Sequence, residues 1–374
     1  MFTRAEFDGR VAKARAEMAA HDVDVLVADN GELLAWLTGY TVSETMYRAA
    51  FLPREGDPWF VLRELDTGPC REQVWFDDIV GFPDTALPHA VMVEALVKRG
   101  FGMARIGVDT NSYGFCVRTA DLLRELLPEA AFVPLPDVGY RVRRCKSEAE
   151  IAVLRRAATI ADRAMAAIAQ HAAAGATVRE VAAIAAGIFL REGADTGEVG
   201  PIVKSKGDQQ FLHGAFRDDS LAEGDILHVE LIPKVANYSA RMMRPVLVGK
   251  PDAEQITVAQ GLLDIQDRQI AALKAGAWAC EVDAVMRQGA LSSGLRRQYT
   301  NVTGYTLGLV TRTPRSSEFS YVLLPTAKWK VEEGMVFHLY TSAQRLAFSE
   351  TVIATESGGI RLTQTPRALL TSYI

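Results

Sequence analysis

The feature that most constrains the fold of this chain is a change in its pattern near residues 139–147. Before this point, short apolar stretches alternate with helical periodicity, which predicts a compact α/β domain. The apolar stretches fall at 23–28, 48–52, 58–63 and 104–108, and the helical patterns at 4–20, 88–99 and 115–127. Because 374 residues are enough for two domains, we place a boundary in this basic connector and divide the chain into 1–143 and 144–374.

Beyond the connector, two capping boxes open long helices. Ser147 is followed three residues later by Glu150, and Thr177 by Glu180, so that hydroxyl and carboxylate cap the first turn reciprocally. Two pairs of strands follow, 226–233 with 240–248 and 335–340 with 347–354. Helices at 252–275 and 280–291 lie between the two pairs. This order predicts an α+β domain in which helices pack on one side of a curved, largely antiparallel sheet.

Composition excludes several classes of protein. The net charge is −5 and no long run of Lys or Arg occurs, so we expect no nucleic-acid partner. No apolar stretch reaches the roughly 18 residues of a membrane span, so we expect no membrane partner. The first residues lack the apolar segment of a secretory signal, and the cysteines are scattered at Cys70, Cys116, Cys145 and Cys280. We interpret these as reduced thiols of a cytoplasmic protein.

Common catalytic motifs are absent from the sequence. It contains neither the GxxxxGK[ST] phosphate loop nor the GxSxG nucleophile motif. Its six histidines do not form HExxH or another short chelating spacing. The chemistry must therefore be sought in less familiar patterns.

Segment 226–232 places a carboxylate inside an apolar strand. Alternate residues of a strand share a face, so His228 and Glu230 point one way while Leu227, Val229 and Leu231 point the other. Such a carboxylate must be paired or solvated, because an isolated buried charge is very costly. Alone, it is explained equally well by a structural ion pair and by a functional site.

Two further predicted strands also combine polar or charged side chains with apolar ones. His338 and Tyr340 share one face of 335–340, and Glu350 lies ahead of the apolar part of 346–353. Each cluster alone is better explained by a buried, hydrogen-bonded side chain. Together, the three clusters predict one pocket with two carboxylates, one or two histidines and tyrosine hydroxyls.

Three motifs spread over nearly the whole chain carry a resemblance. They are Trp-Leu-Thr-Gly-Tyr at 36–40, the segment 144–155, and His213 ahead of the strand that follows 224–225. They resemble the N-terminal signature, the start of the catalytic domain and the active-site histidine of the creatinase, aminopeptidase P and methionine aminopeptidase family. The resemblance implies an α/β N-terminal domain followed by an α+β C-terminal domain with the pita-bread fold.

The metal ligands of that family are not retained. Its peptidases hold two metal ions with two Asp, one His and two Glu, and the resemblance places these ligands at Glu230, Arg241, Tyr305, Tyr340 and Ser349. One carboxylate beside a cation and two phenols lacks the anionic oxygen ligands that hard divalent ions need. We therefore predict no catalytic metal and no other cofactor.

The substituted motifs resemble the metal-independent branch of the family, which includes creatinase and the ectoine hydrolases. The segments concerned are 304–308, 334–338, 349–351 and 366–369. These enzymes hydrolyse a C–N bond in a guanidinium or a cyclic amidine, which implies a small cationic or zwitterionic substrate. The loop 308–318 departs from the Pro-rich loop of the ectoine hydrolases and carries two arginines, Arg312 and Arg315, that change the charge of the pocket.

The chemistry of an amidinium suggests roles within this resemblance. Carboxylates match its planar array of N–H donors, so we predict that Glu230 and Glu350 bind it, with Glu318 as a weaker candidate. His213 is predicted to be the general base on water and then the acid to the leaving nitrogen. In a variant of this mechanism, Glu230 attacks directly as a nucleophile.

Other side chains are predicted to bind or orient the substrate. Those near the sheet are His338, Tyr238, Tyr305 and Tyr340, with Arg244 or Arg312 for a substrate carboxylate. Relatives are dimers whose N-terminal domain reaches the partner's site, so the resemblance implies a homodimer in which Tyr47, Arg48 and Arg63 do the same. A solvated surface charge explains each of these arginines equally well.

Three other functions stay open at this point. The chain could be a metallopeptidase for Xaa-Pro peptides that tolerates unusual ligands, a non-catalytic binding protein, or a lyase or isomerase acting on a cationic substrate. His213, Glu230 and Glu350 favour an enzyme over a binding protein, since a pure binder needs no base.

Overall fold

The computed structural model describes residues 2–41, 45–207, 211–311 and 318–372. Within them the chain divides into two compact units, residues 1–143 and 144–374.

In the first unit, short strands alternate with helices. The strands are β1 (Val25–Ala28), β2 (Ala49–Pro53), β3 (Trp59–Arg63), β4 (Ile79–Phe82), β5 (Arg105–Val108) and β6 (Ala131–Pro134). The helices are α1 (Arg4–Ala20), α2 (Gly31–Thr38), α3 (Thr67–Gln73), α4 (Pro88–Lys98), α5 (Val117–Leu126) and α6 (Val138–Arg143). The sheet has the order β4-β3-β2-β1-β5-β6, with β1, β5 and β6 parallel and β2 antiparallel to both of its neighbours. Alternate strand residues such as Val25, Val27 and Phe51 pack against Met92 and Leu96 of α4, which gives this unit its own core.

The second unit contains two pairs of helices and a larger sheet. The helices are α7 (Glu148–His171), α8 (Val178–Arg191), α9 (Ala253–Ala272) and α10 (Ala279–Ser292). The strands are β7 (Ile202–Lys204), β8 (Ile226–Leu231), β9 (Lys234–Val235), β10 (Tyr238–Ser239), β11 (Met242–Val248), β12 (Gly304–Thr306), β13 (Val322–Leu323), β14 (Val336–Ala343), β15 (Leu346–Ala354), β16 (Gly359–Arg361) and β17 (Leu370–Ser372). The main sheet has the order β13-β12-β14-β15-β11-β8-β7 and is antiparallel along this path.

Both predicted capping boxes are present. The Ser147 hydroxyl accepts from the Glu150 amide at 3.1 Å and the Glu150 carboxylate accepts from the Ser147 amide at 2.8 Å, and Thr177 and Glu180 form the same reciprocal pair. These contacts satisfy two amides that the first helical turn leaves without partners. They also fix where α7 and α8 begin, and hence the faces that these helices present to the sheet.

The register of the central strands separates two faces of the sheet. Residues directly opposite on neighbouring strands share a face, and the pairs Glu230–Met243, Met243–Ser349 and Ser349–Tyr340 connect β8, β11, β15 and β14. We call this side the polar face; by alternation and pairing it also carries His228, His338, Thr351 and Tyr305.

The opposite side, which we call the packed face, carries Phe337, Leu339 and Val352. These side chains form a buried cluster with Ile270 and Leu273 at the end of α9. The helices α9 and α10 therefore cover the packed face at β14 and β15, as a half-buried antiparallel sheet requires.

Candidate active site

A buried ion pair lies on the polar face. The Glu230 side chain is fully buried, and its Oε1 atom accepts a hydrogen bond from Nε of Arg241. Its Oε2 atom is also buried and has no hydrogen-bond partner in the described part of the chain. A buried carboxylate oxygen is costly to leave without a partner, so this atom has unused capacity to accept a hydrogen bond.

The backbone around Glu230 is closely packed. A Cβ atom added at Gly200 would lie 2.4 Å from the carbonyl oxygen of Glu230, so only glycine fits there. The Glu230 amide donates to the carbonyl oxygen of Pro201 at 2.9 Å. These contacts hold the strand that carries the carboxylate in a fixed position.

Arg241 lies in the short break between β10 and β11, where a hydroxyl from β15 holds it. Its amide donates to Oγ1 of Thr351 at 2.8 Å, and the Thr351 hydroxyl donates back to the carbonyl oxygen of Arg241 at 2.8 Å. Burial lowers the pKa of Arg241, but the adjacent Glu230 carboxylate, together with Tyr305 and Tyr340, raises it above its ordinary value. The guanidinium is therefore a permanent positive charge inside the site.

Aromatic rings border the ion pair. The guanidinium carbon of Arg241 lies 5.7 Å from the centre of the Tyr305 ring, within the range of a cation–π contact. The Tyr305 ring meets His338 at 5.0 Å, and His338 stacks on Tyr340 at 5.3 Å. Burial raises the pKa of both tyrosines, so both remain neutral phenols. Asn301 donates from Nδ2 to the Tyr340 hydroxyl at 2.8 Å and fixes that ring.

Two buried histidines flank these groups. Burial, with smaller effects of Arg241 and His213, lowers the pKa of His228 to about 3. Burial and then Arg241 place the pKa of His338 well below its ordinary value. Within the described residues, neither ring nitrogen of either histidine has a hydrogen-bond partner. The site thus offers neutral imidazoles that can each donate one hydrogen bond and accept another.

His213, the predicted general base, lies in the turn that follows residue 210 and is exposed. An electrostatic effect of His213 is a minor cause of the lowered pKa of His228. Phe211, two residues earlier, contacts the His228 ring at 5.0 Å between centres. The structure therefore brings His213 to the side of the polar face at β8, next to solvent.

Glu350 and Arg244 do not share this face, contrary to the sequence prediction. Glu350 lies directly opposite Leu339, which places it on the packed face. There its Oε1 accepts from Nη2 of Arg244 at 2.6 Å and its Oε2 accepts from the Thr363 hydroxyl. Arg244 also donates to the carbonyl oxygens of Met243, Ser349, Thr365 and Pro366. The prediction that Glu350 shares a pocket with Glu230 is therefore wrong: Glu350 and Arg244 form a buried ion pair on the packed face.

Tyr238 and Glu318 are likewise engaged elsewhere. The Tyr238 hydroxyl donates to Oε1 of Glu150 at 2.6 Å, at the start of α7. Both carboxylate oxygens of Glu318 accept from Nζ of Lys146 at 3.1 Å, with both side chains buried. These contacts link β10 and the segment before β13 to the beginning of α7 and compete with the predicted roles in substrate binding. Arg312 lies outside the described residues.

The predicted residues of the first unit have partners within that unit. The Tyr47 hydroxyl donates to Asp29 at 2.9 Å, Arg48 donates to the carbonyl oxygen of Asp29 at 2.8 Å, and Arg63 pairs with Asp84. Their role in a neighbouring subunit's site stays a prediction.

The sequence matches two known families. The model of the creatinase/prolidase N-terminal domain matches residues 10–145, and that of metallopeptidase family M24 matches residues 152–366, more than half of the chain. The chain belongs to metallopeptidase family M24. This membership places it in a family of hydrolases and confirms the predicted α/β N-terminal domain and pita-bread C-terminal domain.

Individual relatives have different activities. Ectoine hydrolase of Halomonas elongata is 26% identical, with 98% of each chain covered. Xaa-Pro dipeptidase of Pyrococcus horikoshii is 27% identical, over 72% of this chain and 76% of its own. Among solved structures, dipeptidase PepE of Mycobacterium ulcerans superposes with a TM-score of 0.82 over both full chains at 23% identity. The prolidase of Pyrococcus horikoshii has a TM-score of 0.79 at 21% identity, covering 96% of this chain and 99% of its own. The structural likenesses concern the fold.

Family membership implies a metal site, and the residues present do not fit one. The five ligand positions named above carry one carboxylate, one guanidinium, two phenols and one hydroxyl. No group of three or more His, Cys, Asp or Glu side chains suited to a metal ion occurs within the described residues. A pair of divalent ions needs several anionic oxygen ligands, and here a fixed positive charge stands among them.

Three residues of the site were not among the sequence-predicted site residues. Arg241 falls on a ligand position of the family pattern, a signal sufficient to mark it. Thr351 and Asn301 act by holding Arg241 and Tyr340, and no pattern in one sequence reveals such contacts between distant segments.

Among the helices that the structure describes, none has the length and apolar character needed to span a membrane.

Proposed function

We propose that this chain is a metal-independent hydrolase that cleaves a C–N bond of a small guanidino, amidine or cyclic amidine compound. The observation that carries the proposal is the Glu230–Arg241 pair. The two residues stand where the resemblance places two of the family's metal ligands, and one carboxylate oxygen has no hydrogen-bond partner among the described residues. The full-length similarity to ectoine hydrolase supports the same reaction class.

Each group has a role in this proposal. Oε2 of Glu230 accepts a hydrogen bond from an N–H group of the planar substrate cation. Such a charge-assisted hydrogen bond is stronger than a neutral one. The neutral imidazoles of His228 and His338 orient the substrate and the attacking water. His213, which is exposed and can exchange protons with solvent, takes the proton from water and delivers it to the leaving nitrogen.

An Xaa-Pro dipeptidase is the second candidate, because dipeptidases are as similar to this chain as ectoine hydrolase is. The donor set described above argues against the metal chemistry that such an activity would use. A binding protein on the same fold would share the Glu230 contact and leave its ligand unchanged, whereas a lyase would form other products.

A substrate panel assayed without metal discriminates these candidates. Purified protein is treated with EDTA and dialysed, and its metal content is measured. It is then incubated with creatine, ectoine, related cyclic amidines and Xaa-Pro dipeptides, with and without added Mn²⁺, and products are identified by mass spectrometry. We expect C–N hydrolysis of an amidine or guanidino compound at a rate that EDTA does not change. Cleavage of Xaa-Pro dipeptides only after Mn²⁺ is added would contradict the proposal.

The His213→Ala variant tests the assignment of the base. We expect kcat to fall by about 100- to 10,000-fold, the usual contribution of general acid–base catalysis. The melting temperature should stay at the wild-type value because the side chain is exposed. His171→Ala, which removes an exposed histidine at the end of α7, is the matched control. A retained rate in His213→Ala would exclude His213 as the base.

A further inference from the structure

The charge balance of the polar face depends on one pair of residues. Glu230 carries a negative charge, whereas His228, His338, Tyr305 and Tyr340 are held neutral by burial. Arg241 is nine-tenths buried and supplies the compensating positive charge. Without it, a fully buried carboxylate would have no counterion among these groups.

The position of this charge is imposed by the fold rather than by the arginine side chain alone. Arg241 lies in a break between two strands, where its backbone would otherwise lack ladder partners. The single hydroxyl of Thr351 accepts from its amide and donates to its carbonyl oxygen. The guanidinium donates from Nε to Glu230, and its carbon lies over the Tyr305 ring at 5.7 Å from the ring centre.

The contact with Glu230 engages a single oxygen. A guanidinium often binds a carboxylate through two parallel hydrogen bonds, but here Oε1 is engaged and Oε2 has no hydrogen-bond partner in the part of the chain that the structure describes. The arginine thus compensates the charge and orients the carboxylate while leaving one acceptor for another molecule.

We infer that Arg241 is the resident cation of this site: its guanidinium takes the electrostatic place of the divalent ions that the family's ligand pattern would hold, and Thr351 sets its position. Arg241 and Thr351 are accordingly positioning residues that act through Glu230. The inference rests on the proposed function for its catalytic consequences, whereas the ion-binding consequence is independent of any substrate.

Rescue by free guanidinium ion tests the inference without an activity assay. Arg241→Ala leaves a guanidinium-sized space next to Glu230, and guanidinium chloride is added well below its denaturing range while the melting temperature is followed. We expect a saturable rise of about 3 °C in the variant, as mass action predicts for a ligand of the native state. The wild type should show no rise, and NaCl at equal ionic strength should not substitute.

A second pair of variants covers the case in which Arg241→Ala does not fold. Arg241→Lys keeps the charge and Arg241→Met removes it in a side chain of similar length. We expect Arg241→Met to lose more than 10-fold in kcat/KM relative to Arg241→Lys, and Thr351→Val to lose activity that Thr351→Ser retains. Equal losses in Arg241→Lys and Arg241→Met, or equal guanidinium responses in Arg241→Ala and the wild type, would overturn the inference.

A metal titration completes the test. We expect Mn²⁺ to produce no saturable heat with the wild-type protein in calorimetry. Stoichiometric Mn²⁺ binding that Glu230→Gln abolishes would show that a metal, and not Arg241, is the cation of the site. If guanidinium stabilises Arg241→Ala but no amidine is hydrolysed by the wild type, the proposed function fails and the inference about the cation stands.

Discussion

The two sides of one sheet each bury a glutamate–arginine pair, and the pairs differ in how completely their polar atoms are used. On the packed face, both oxygens of Glu350 are engaged, and Arg244 binds four carbonyl oxygens besides the carboxylate. On the polar face, Glu230 keeps one oxygen without a partner in the described residues.

This difference supports the proposal that one pair is structural and the other belongs to the active site. A buried charge pair stabilises a protein only if its remaining hydrogen-bonding capacity is satisfied, and the Glu350–Arg244 pair meets that condition. The Glu230–Arg241 pair does not, and the neighbouring His228 and His338 rings also lack partners among the described residues. The unused hydrogen-bonding capacity of Glu230, His228 and His338 supports the proposed binding site on the polar face.

Replacing each carboxylate by its amide should give the largest contrast. We expect Glu230→Gln to lower kcat/KM by about 100- to 10,000-fold, because the substrate cation loses its charged acceptor. Glu350→Gln should lower stability and leave kcat/KM of the folded protein near the wild-type value. Steady-state kinetics and urea denaturation of both variants measure the two effects, and a large kinetic loss in Glu350→Gln would remove the distinction between the faces.

Removing the arginine of the Glu350–Arg244 pair should lower the stability of the protein. Arg244→Met leaves Glu350 buried beside weaker partners, Arg361 at 3.6 Å and Arg367 at 3.9 Å. We expect the free energy of unfolding to fall by about 3–5 kcal/mol, the usual effect of removing one partner of a buried pair. The double variant Arg244→Met/Glu350→Gln, measured by urea denaturation, should recover part of this loss; no recovery would mean that charge is not the cause.

Acid should destabilise the polar face through its histidines. Unfolded His228 binds a proton near pH 6.5, whereas the folded protein keeps it neutral until about pH 3. The unfolded state therefore binds more protons between these values, and stability falls as the pH is lowered.

We expect His228 alone to contribute a loss on the order of 3 kcal/mol by about pH 4. Urea denaturation of the wild type and of His228→Gln between about pH 4 and pH 6.5 isolates the contribution of His228 to the free energy of unfolding. His171→Gln is the control for losing a histidine elsewhere. Parallel stability curves for the wild type and His228→Gln would mean that His228 does not remain neutral in the folded protein.

Tyr238 should show a small effect on stability alone. Tyr238→Phe removes the hydrogen bond to Glu150, and we expect a loss of about 1.5–3 kcal/mol, the range for hydrogen bonds to charged groups. Thermal denaturation measures this loss. A changed KM in Tyr238→Phe would instead return this tyrosine to the substrate-binding role that its sequence position suggested.

The sequence predicted the architecture better than it predicted the site. Capping boxes at Ser147 and Thr177 located the first two helices of the second unit because the pattern is local. The alternation of His228 and Glu230 with apolar residues correctly placed those two side chains on one face. Short or irregular strands such as β4 and β6 have little periodicity and were not recognised.

The error over Glu350 has a definite cause. Alternation shows which residues of one strand share a face, but not which face of a neighbouring strand matches it. That information is the register, in which Glu350 lies opposite Leu339 rather than opposite Tyr340. A shift of one residue exchanges the faces, so the position of the second carboxylate was beyond the reach of any single-strand pattern.

The hydroxyl of Thr351 has a consequence for biogenesis. It ties β15 to a residue 110 positions earlier in the chain, and such distant contacts form late because the intervening loop must close first. A growing chain that has been synthesised only through β11 contains Glu230 and Arg241 but lacks Thr351, whose hydroxyl holds the backbone of Arg241. The ordering of Arg241 beside Glu230 is therefore coupled to docking of the hairpin formed by β14 and β15.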